Sequence, residues 1–383
     1  MDALTTPLNW EKIRLGDIFF ITAGGDLSKP HYSNTKQSDF NYPIYSNAIE
    51  KKGLYGYSSF FIIKNKSITI TSRGTIGVAF FRDYPYVPIG RLLVLQPKIS
   101  NIDCRFYAEY INSKVKFNTE QTTIPQLTIP KVALCEIPLP PLNEQTAIAD
   151  ILSGVDRYLY ALDSLILKKE GVKKALSFEL LSQRKRLKGF NQAWQKIRLG
   201  DICEITTGSL DANEMVHYGK YRFYTCAKEY YFIDKYAFDT EAILISGNGA
   251  YVGYVHYYKG KFNAYQRTYV LDNFSENIIF VKYFLTMFLQ SHIQVNKNEG
   301  NTPYIVMATL KDFEILLPPL NEQTAIANIL SALDNEIVSL KNKKRQFENI
   351  KKALNHDLMS AKIRVLKNKT PQSQGQTHSQ GNP

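Results

Sequence analysis

Side chains able to do covalent or metal chemistry are present in this chain but scattered. The six histidines (His31, His217, His256, His292, His356, His378) and the four cysteines (Cys104, Cys135, Cys203, Cys226) show no metal-ligand or redox spacing. No GxSxG nucleophile elbow and no phosphate-binding loop is present. "SGNGAYVG" at Ser246–Gly253 spaces its glycines wrongly for a dinucleotide fingerprint and reads as a turn after the strand "AILIS". "NTPY" at Asn301–Tyr304 is one residue away from a base-flipping NPPY motif, but no glycine-rich cofactor segment accompanies it. It reads as a packed loop. What remains is non-covalent chemistry, and the charge points to it: 47 Lys/Arg against 35 acids, a net of +12, implies an anionic partner.

That charge is localised. From Lys168 to Lys188, eight Lys/Arg face two acids; from Lys341 to Lys369, ten face two. These two segments carry all the excess, and they can serve DNA phosphates or acidic protein patches. The chain of 383 residues, 44% hydrophobic, is large enough for two or more cored domains. No run approaches the roughly 20 apolar residues of a membrane span, and no secretory signal is visible. Unpaired cysteines fit a reducing, cytoplasmic setting.

The elements that must position this chemistry come in duplicate. "PPLNEQTAIA" runs from Pro140 to Ala149 and again from Pro318 to Ala327, 178 residues on (318 − 140). "WEKIRLGDIFFITAGG" at Trp10–Gly25 returns as "WQKIRLGDICEITTGS" at Trp194–Ser209. Between them lie α+β regions, with strands such as "SITIT", "RLLVLQ", "AILIS" and "RTYVLD" and helices near Phe106–Lys114 and Ile278–Gln294. Each decamer opens a helix, with Asn143 or Asn321 expected as N-cap. Apolar residues then follow in steps of four and three: Ile148, Leu152, Val155, Leu159, Leu162 and Ile166, and again Ile326, Leu330, Leu333, Ile337 and Leu340. That is a coiled-coil seam, interrupted by Lys169, Lys173, Lys344 and Lys351, whose stems can snorkel, and by Gly171, which can bend the helix. Two matching stripes in one chain should pair with each other, and about 45 residues give a helix of roughly 65–70 Å.

These repeated motifs, with "SRGTIG" and "GNGAYVG" in mid-domain, resemble the specificity subunit of type I restriction–modification systems, from Trp10 to about Leu366. The resemblance implies an α+β fold. Two α/β target recognition domains (1–140 and 190–318) are separated by two long antiparallel coiled-coil helices (141–189 and 319–368), a pseudo-two-fold internal repeat. Residues 369–383 read as a disordered tail. It further implies a DNA-reading subunit without catalysis of its own, binding a bipartite, asymmetric stretch of double-stranded DNA. Two methylation subunits would dock on the helices and restriction subunits further out. S-adenosylmethionine would sit on the methylation partner, with no cofactor on this chain. The recognition subunit of a type IIB-like two-subunit enzyme is the alternative.

Within that resemblance, base readout needs Arg, Asn, Gln, Ser or Thr on exposed loops. The paired mid-domain segments are the candidates. In the first domain they supply Tyr45, Ser46, Asn47, Ser72, Arg73, Thr75 and Arg91. In the second they supply Arg222, Tyr224, Thr225, Ser246, Asn248, Tyr251, Gln266 and Arg267. Arg73 and Arg91 suit guanine; Asn248 and Gln266 suit adenine.

Overall fold

The computed structural model describes residues 10–117, 125–295 and 303–365. The tail expected at 369–383 lies outside the described residues. The chain forms two compact units. One runs to Ala161 and resumes at Lys344; the other is the continuous stretch Leu162–Lys343.

The first unit holds two four-stranded sheets. One orders its strands Phe19–Ala23, Leu93–Pro97, Ser67–Ile70, Ala79–Arg82; the other, Tyr32–Ser33, Leu54–Ser58, Tyr42–Tyr45, Val87–Pro88. Ser67–Ile70 alternates polar and apolar residues yet is buried at all four, because the Ser67 hydroxyl bonds Tyr86 and the Thr69 hydroxyl accepts from Arg82 within the unit. The second unit has one six-stranded sheet: Glu204–Thr207, Thr268–Asp272, Phe238–Ser246, Val255–Ala264, Tyr221–Tyr224, Tyr231–Ile233. A domain helix packs in each core, Cys104–Lys114 in the first unit and Ile278–Val295 in the second.

The repeated motifs meet in space. Glu11–Arg14 pairs antiparallel with Glu136–Leu139, and Gln195–Arg198 with Glu314–Leu317. The indole Nε1 of Trp10 donates to Glu144 at 3.1 Å, and that of Trp194 to Glu322 at 3.2 Å. Gln145 is fully buried; its Oε1 accepts from the Asp103 amide at 2.9 Å and its Nε2 donates to the Pro140 carbonyl at 2.8 Å. Gln323 repeats both bonds, to the Asn277 amide at 3.0 Å and the Pro318 carbonyl at 2.8 Å. Asp103 and Asn277 cap the two domain helices, accepting from amides within the first turn. The Glu-Gln pair thus ties the opening strand, the domain helix and the long helix into one junction.

The long helices are Leu142–Leu181 and Leu320–Met359, 40 residues each, or about 60 Å. The expected N-caps shift. The Pro141 and Pro319 carbonyls accept the first helical amides, while Asn143 and Asn321, one turn-residue further in, accept only from the next residue's amide. The helix passes Gly171 without a break, because nothing crowds that position and the neighbouring turns stay bonded. Within each unit the helices run antiparallel. In the first, the Tyr158 ring lies tilted 4.6 Å from that of Phe347, and Asp156 pairs with Lys351 at 2.7 Å. In the second, Lys169 pairs with Glu336 at 2.8 Å, Glu170 with Lys341 at 2.7 Å, and Lys173 with Asp334. The seam lysines therefore find carboxylates rather than only snorkelling, and much of the basic charge is neutralised within the helix pair. Lys344 pairs along its own helix with Glu348 at 3.6 Å.

Each helix ends in the core of the unit where the other begins. Leu358 and Met359 pack with Ile148 and Leu152; Leu180 and Leu181 pack with Ile326 and Leu330. Both then stop at a left-handed residue, Gln183 (φ 64) and Ala361 (φ 46), again 178 apart (361 − 183). Removing a junction glutamine leaves buried backbone groups unpaired, so Gln145→Ala and Gln323→Ala should each cost about 1–3 kcal/mol. The measurement is the thermal unfolding midpoint of the full chain; an unshifted midpoint would refute the role of the junction.

Candidate nucleic-acid interface

In the first unit three loops are cinched by one side chain. Asn47 donates Nδ2 to the Gly90 carbonyl at 2.6 Å and accepts the Ser72 amide on Oδ1 at 2.7 Å. Ser72 Oγ closes the triangle by donating to the Arg91 carbonyl at 2.6 Å. Gly90 and Arg91 are consecutive left-handed residues (φ 63 and 67), which turns the Arg91 side chain to the exterior. Arg73, Thr75 and Arg91 are exposed around this knot. Arg73 Nη2 donates to Gln126 Oε1 at 3.3 Å, and the two residues form an isolated backbone bridge.

The second unit builds the same place differently. Cys226 stands where Asn47 stands in the first half, and its Sγ reaches the Arg267 carbonyl at 3.3 Å. The Gly247 amide donates to the same carbonyl at 2.8 Å. Asn248 bridges Tyr304, and a cavity of about 550 Å³ opens between Asn248, Gln266, Arg267 and Tyr304. Gln266, Arg267 and Tyr251 are exposed. Lys228 lies 5.1 Å from the Tyr251 ring.

Several expected base contacts are buried and serve as supports. Tyr45 lies under the Arg82 guanidinium at 3.6 Å and shares a 2.7 Å hydrogen bond with Tyr84. Burial, reinforced by that bond, raises its phenol well above the ordinary range. Tyr224 is likewise raised by burial, among Phe262, Tyr258 and His256. Burial lowers the His256 imidazole, whose Nε2 shares a hydrogen bond with the Ala227 carbonyl at 2.9 Å. Ser72, Thr225 and Ser246 are also buried. Such side chains present no edge to a duplex; they shape the loops that do. Arg222 is half-buried between the rings of Tyr230 and Tyr258 (4.2 and 4.4 Å), and Ser46 is half-buried against the Gly53 carbonyl.

Two residues beside the candidate loops escaped the sequence reading, Gln126 and Tyr304. Their signal was positional: "TIPQLTIP" and "NTPY" occupy the same place ahead of the decamer in the two halves. Asn301 and Thr302 of "NTPY" lie outside the described residues, whereas Tyr304 is 39% exposed beside Asn248. Among the described residues no His/Cys/Asp/Glu group could hold a metal ion.

Two α+β domains of one plan, each displaying a different loop set and joined by paired long helices, define a duplicated recognition protein. A family model described as the type I restriction modification DNA specificity domain matches residues 7–169 and 191–349, and the chain belongs to that family. It is 39% identical over 162 residues to the type I restriction enzyme EcoDI specificity subunit of Escherichia coli, covering 42% of this chain and 35% of that one. It is 26% identical over 420 residues to the MjaVIII specificity subunit of Methanocaldococcus jannaschii, covering 95% of each. The chain spans between 35% and 46% of the length of the first three curated relatives. The crystal structure of a type I restriction–modification S subunit from M. genitalium shares the fold, with a TM-score of 0.69, 19% identity, and coverage of 93% of this chain and 97% of that one.

The repeat makes one internal control. Ser72 Oγ is bonded, whereas Ser246 Oγ is buried and finds no partner among the described residues. Ser72→Ala should therefore destabilise by about 1 kcal/mol and Ser246→Ala should be neutral or stabilising. Urea unfolding of both variants checks the asymmetry; equal losses would contradict it.

Proposed function

We propose that this chain is the DNA sequence-specificity subunit of a type I restriction–modification complex and has no catalysis of its own. The observation that carries it is the pairing of one scaffold with two different loop sets. Arg73, Thr75 and Arg91 stand exposed in the first unit; Tyr251, Gln266 and Arg267 stand exposed in the second, with Asn248 beside them. Each domain reads one half of a split duplex site, and unlike loops give unlike half-sites. Arginine presents a bidentate donor fork to guanine O6 and N7; the Asn and Gln amides match adenine N6 and N7. The names of the curated relatives support a type I assembly over the type IIB-like alternative.

On this reading the long helices dock two methylation subunits, with restriction subunits beyond them. S-adenosylmethionine belongs to the methylation subunit. Among the described residues no helix is long and apolar enough to cross a membrane, and the complex acts on DNA in the cytoplasm.

Mapping methylated sites in a genome with and without this chain tests the assignment directly: a bipartite asymmetric motif should vanish with the chain. Arg73→Ala should relax one position of one half-site, at about 1–3 kcal/mol, and Gln266→Ala one position of the other. A variant that blurred both half-sites, or neither, would remove its residue from the reading set.

A further inference from the structure

The two recognition domains share a plan but not a charge. Residues 10–140 carry sixteen Lys/Arg against ten acids, a net of +6; residues 190–318 carry twelve against thirteen, a net of −1. An imbalance of that size draws an anion to the first domain and not to the second.

A strained turn concentrates the difference. Lys51, Lys52 and Gly53 are three consecutive left-handed residues (φ 48, 55 and 82). Residues with a Cβ avoid that region, and two in a row persist only where the surroundings hold them. Arg82 does the holding. It is 1% exposed, donates from Nη2 to the Lys52 carbonyl at 2.6 Å, and donates from Nε to the Thr69 hydroxyl at 3.1 Å. The Tyr45 ring covers its guanidinium at 3.6 Å, and among the described residues no carboxylate pairs with it. A buried cation is thus given to a backbone carbonyl of this turn instead of to an acid. The Gly53 carbonyl accepts the Ser46 amide at 2.9 Å, and a Cβ on Gly53 would meet the Ser46 carbonyl at 2.7 Å. The turn is therefore rooted beside Asn47, which knots the loops bearing Arg73 and Arg91. Lys51 and Lys52 are exposed, and among the described residues neither has an ion-pair partner; Glu50 is the one acid in the turn.

The second domain lacks this device. Between Tyr224 and Tyr231 it runs "TCAKEY", two residues shorter than "SNAIEKKG" between Tyr45 and Leu54 (8 − 6), and it contains no left-handed residue. Tyr258 stands where Arg82 does, five residues past the shared glycine (82 − 77, 258 − 253). Lys228, its nearest lysine, lies against the Tyr251 ring at 5.1 Å.

We propose that the first recognition domain is the electrostatic anchor of the pair: Lys51 and Lys52 clamp neighbouring backbone phosphates beside the first half-site, and Arg82 is the positioning residue that holds their turn. This rests on the reading of the chain as a DNA-specificity subunit and adds a division of labour to it. The first domain supplies affinity irrespective of sequence, and the second adds selection with little net charge. Phosphate suits the turn better than a base edge does, because an ammonium group is a point charge without the planar fork that bidentate base readout uses.

The experiment measures the DNA affinity of the full chain, assembled with its methylation partner, between about 50 and 200 mM KCl. Two duplexes serve as probes, one carrying the methylated motif and one with both half-sites scrambled. Lys51→Ala and Lys52→Ala should each make the slope of log affinity against log salt shallower by about 1. Both should weaken the two duplexes by the same factor and leave the methylated motif unchanged. Lys228→Ala should leave the slope as it is. Arg82→Met should lose the slope of the double lysine variant, and adding it to that variant should remove nothing more. Both lysines are exposed, so their variants should melt as the wild type does and carry the test even where Arg82→Met lowers the midpoint. An unchanged slope in the double lysine variant overturns the proposal, as does an equal loss from Lys228→Ala. A changed methylation motif would assign the turn to base reading, and loss of the methylation partner at constant slope would assign it to an acidic protein patch; either overturns the anchor. A wild-type assembly that does not distinguish the two duplexes sinks the specificity reading itself.

Discussion

Everything in this structure depends on a buried acid–amide pair at the start of each long helix. Glu144 and Glu322 hold the indoles of Trp10 and Trp194; Gln145 and Gln323 hold the amide of the residue that caps each domain helix. A side chain that is fully buried and bonded on both oxygen and nitrogen tolerates little displacement. The strand entering each domain, the helix inside it and the helix leaving it are therefore fixed to one another by two residues. In the second unit Arg186 adds a forked pair to Glu322, at 2.6 and 3.2 Å. Arg364 stands at the repeat-equivalent position of the first half.

With that junction rigid, the loops at the other end of each sheet are free to vary. Asn47 gathers three loops in the first unit through both its amide nitrogen and its amide oxygen, whereas Cys226 in the second makes two weak sulfur contacts, to the Arg267 carbonyl and the Thr268 hydroxyl. The outcome is the same backbone platform with different exposed chemistry. The buried tyrosines beneath, Tyr45 and Tyr224, support those loops from within the unit.

The duplication, the long helices and the sheet strands could all be read from the sequence, because periodicity and repetition are local signals. "PPLNEQTAIA" announced itself as a helix start, and the helix is there. Its role as a junction was hidden, since Gln145 and Asp103 are 42 residues apart and no spacing rule links them. The same limit applied at the interface. Arg73 and Arg91 were legible as exposed loop cations, but Tyr45, Ser72 and Ser246 looked no different in sequence until burial separated them. Gln126 and Tyr304 come to the loops from distant segments through isolated backbone bridges, and only their shared place ahead of the decamer marked them in the sequence. The seam lysines were visible; the carboxylates that Lys169, Lys173 and Lys351 meet on the facing helix were not, because register is a tertiary property.

The way each long helix finishes in the other half's core has a consequence for synthesis. The second unit is one unbroken stretch, Leu162–Lys343, so all its residues have left the ribosome while the first unit still lacks a piece. Leu358 and Met359 are that piece, and without them Ile148 and Leu152 keep an open apolar face. The domain made first is thus the domain completed last, and a chain cut short before its final helix turn carries a finished second unit and a first unit that still needs a cover.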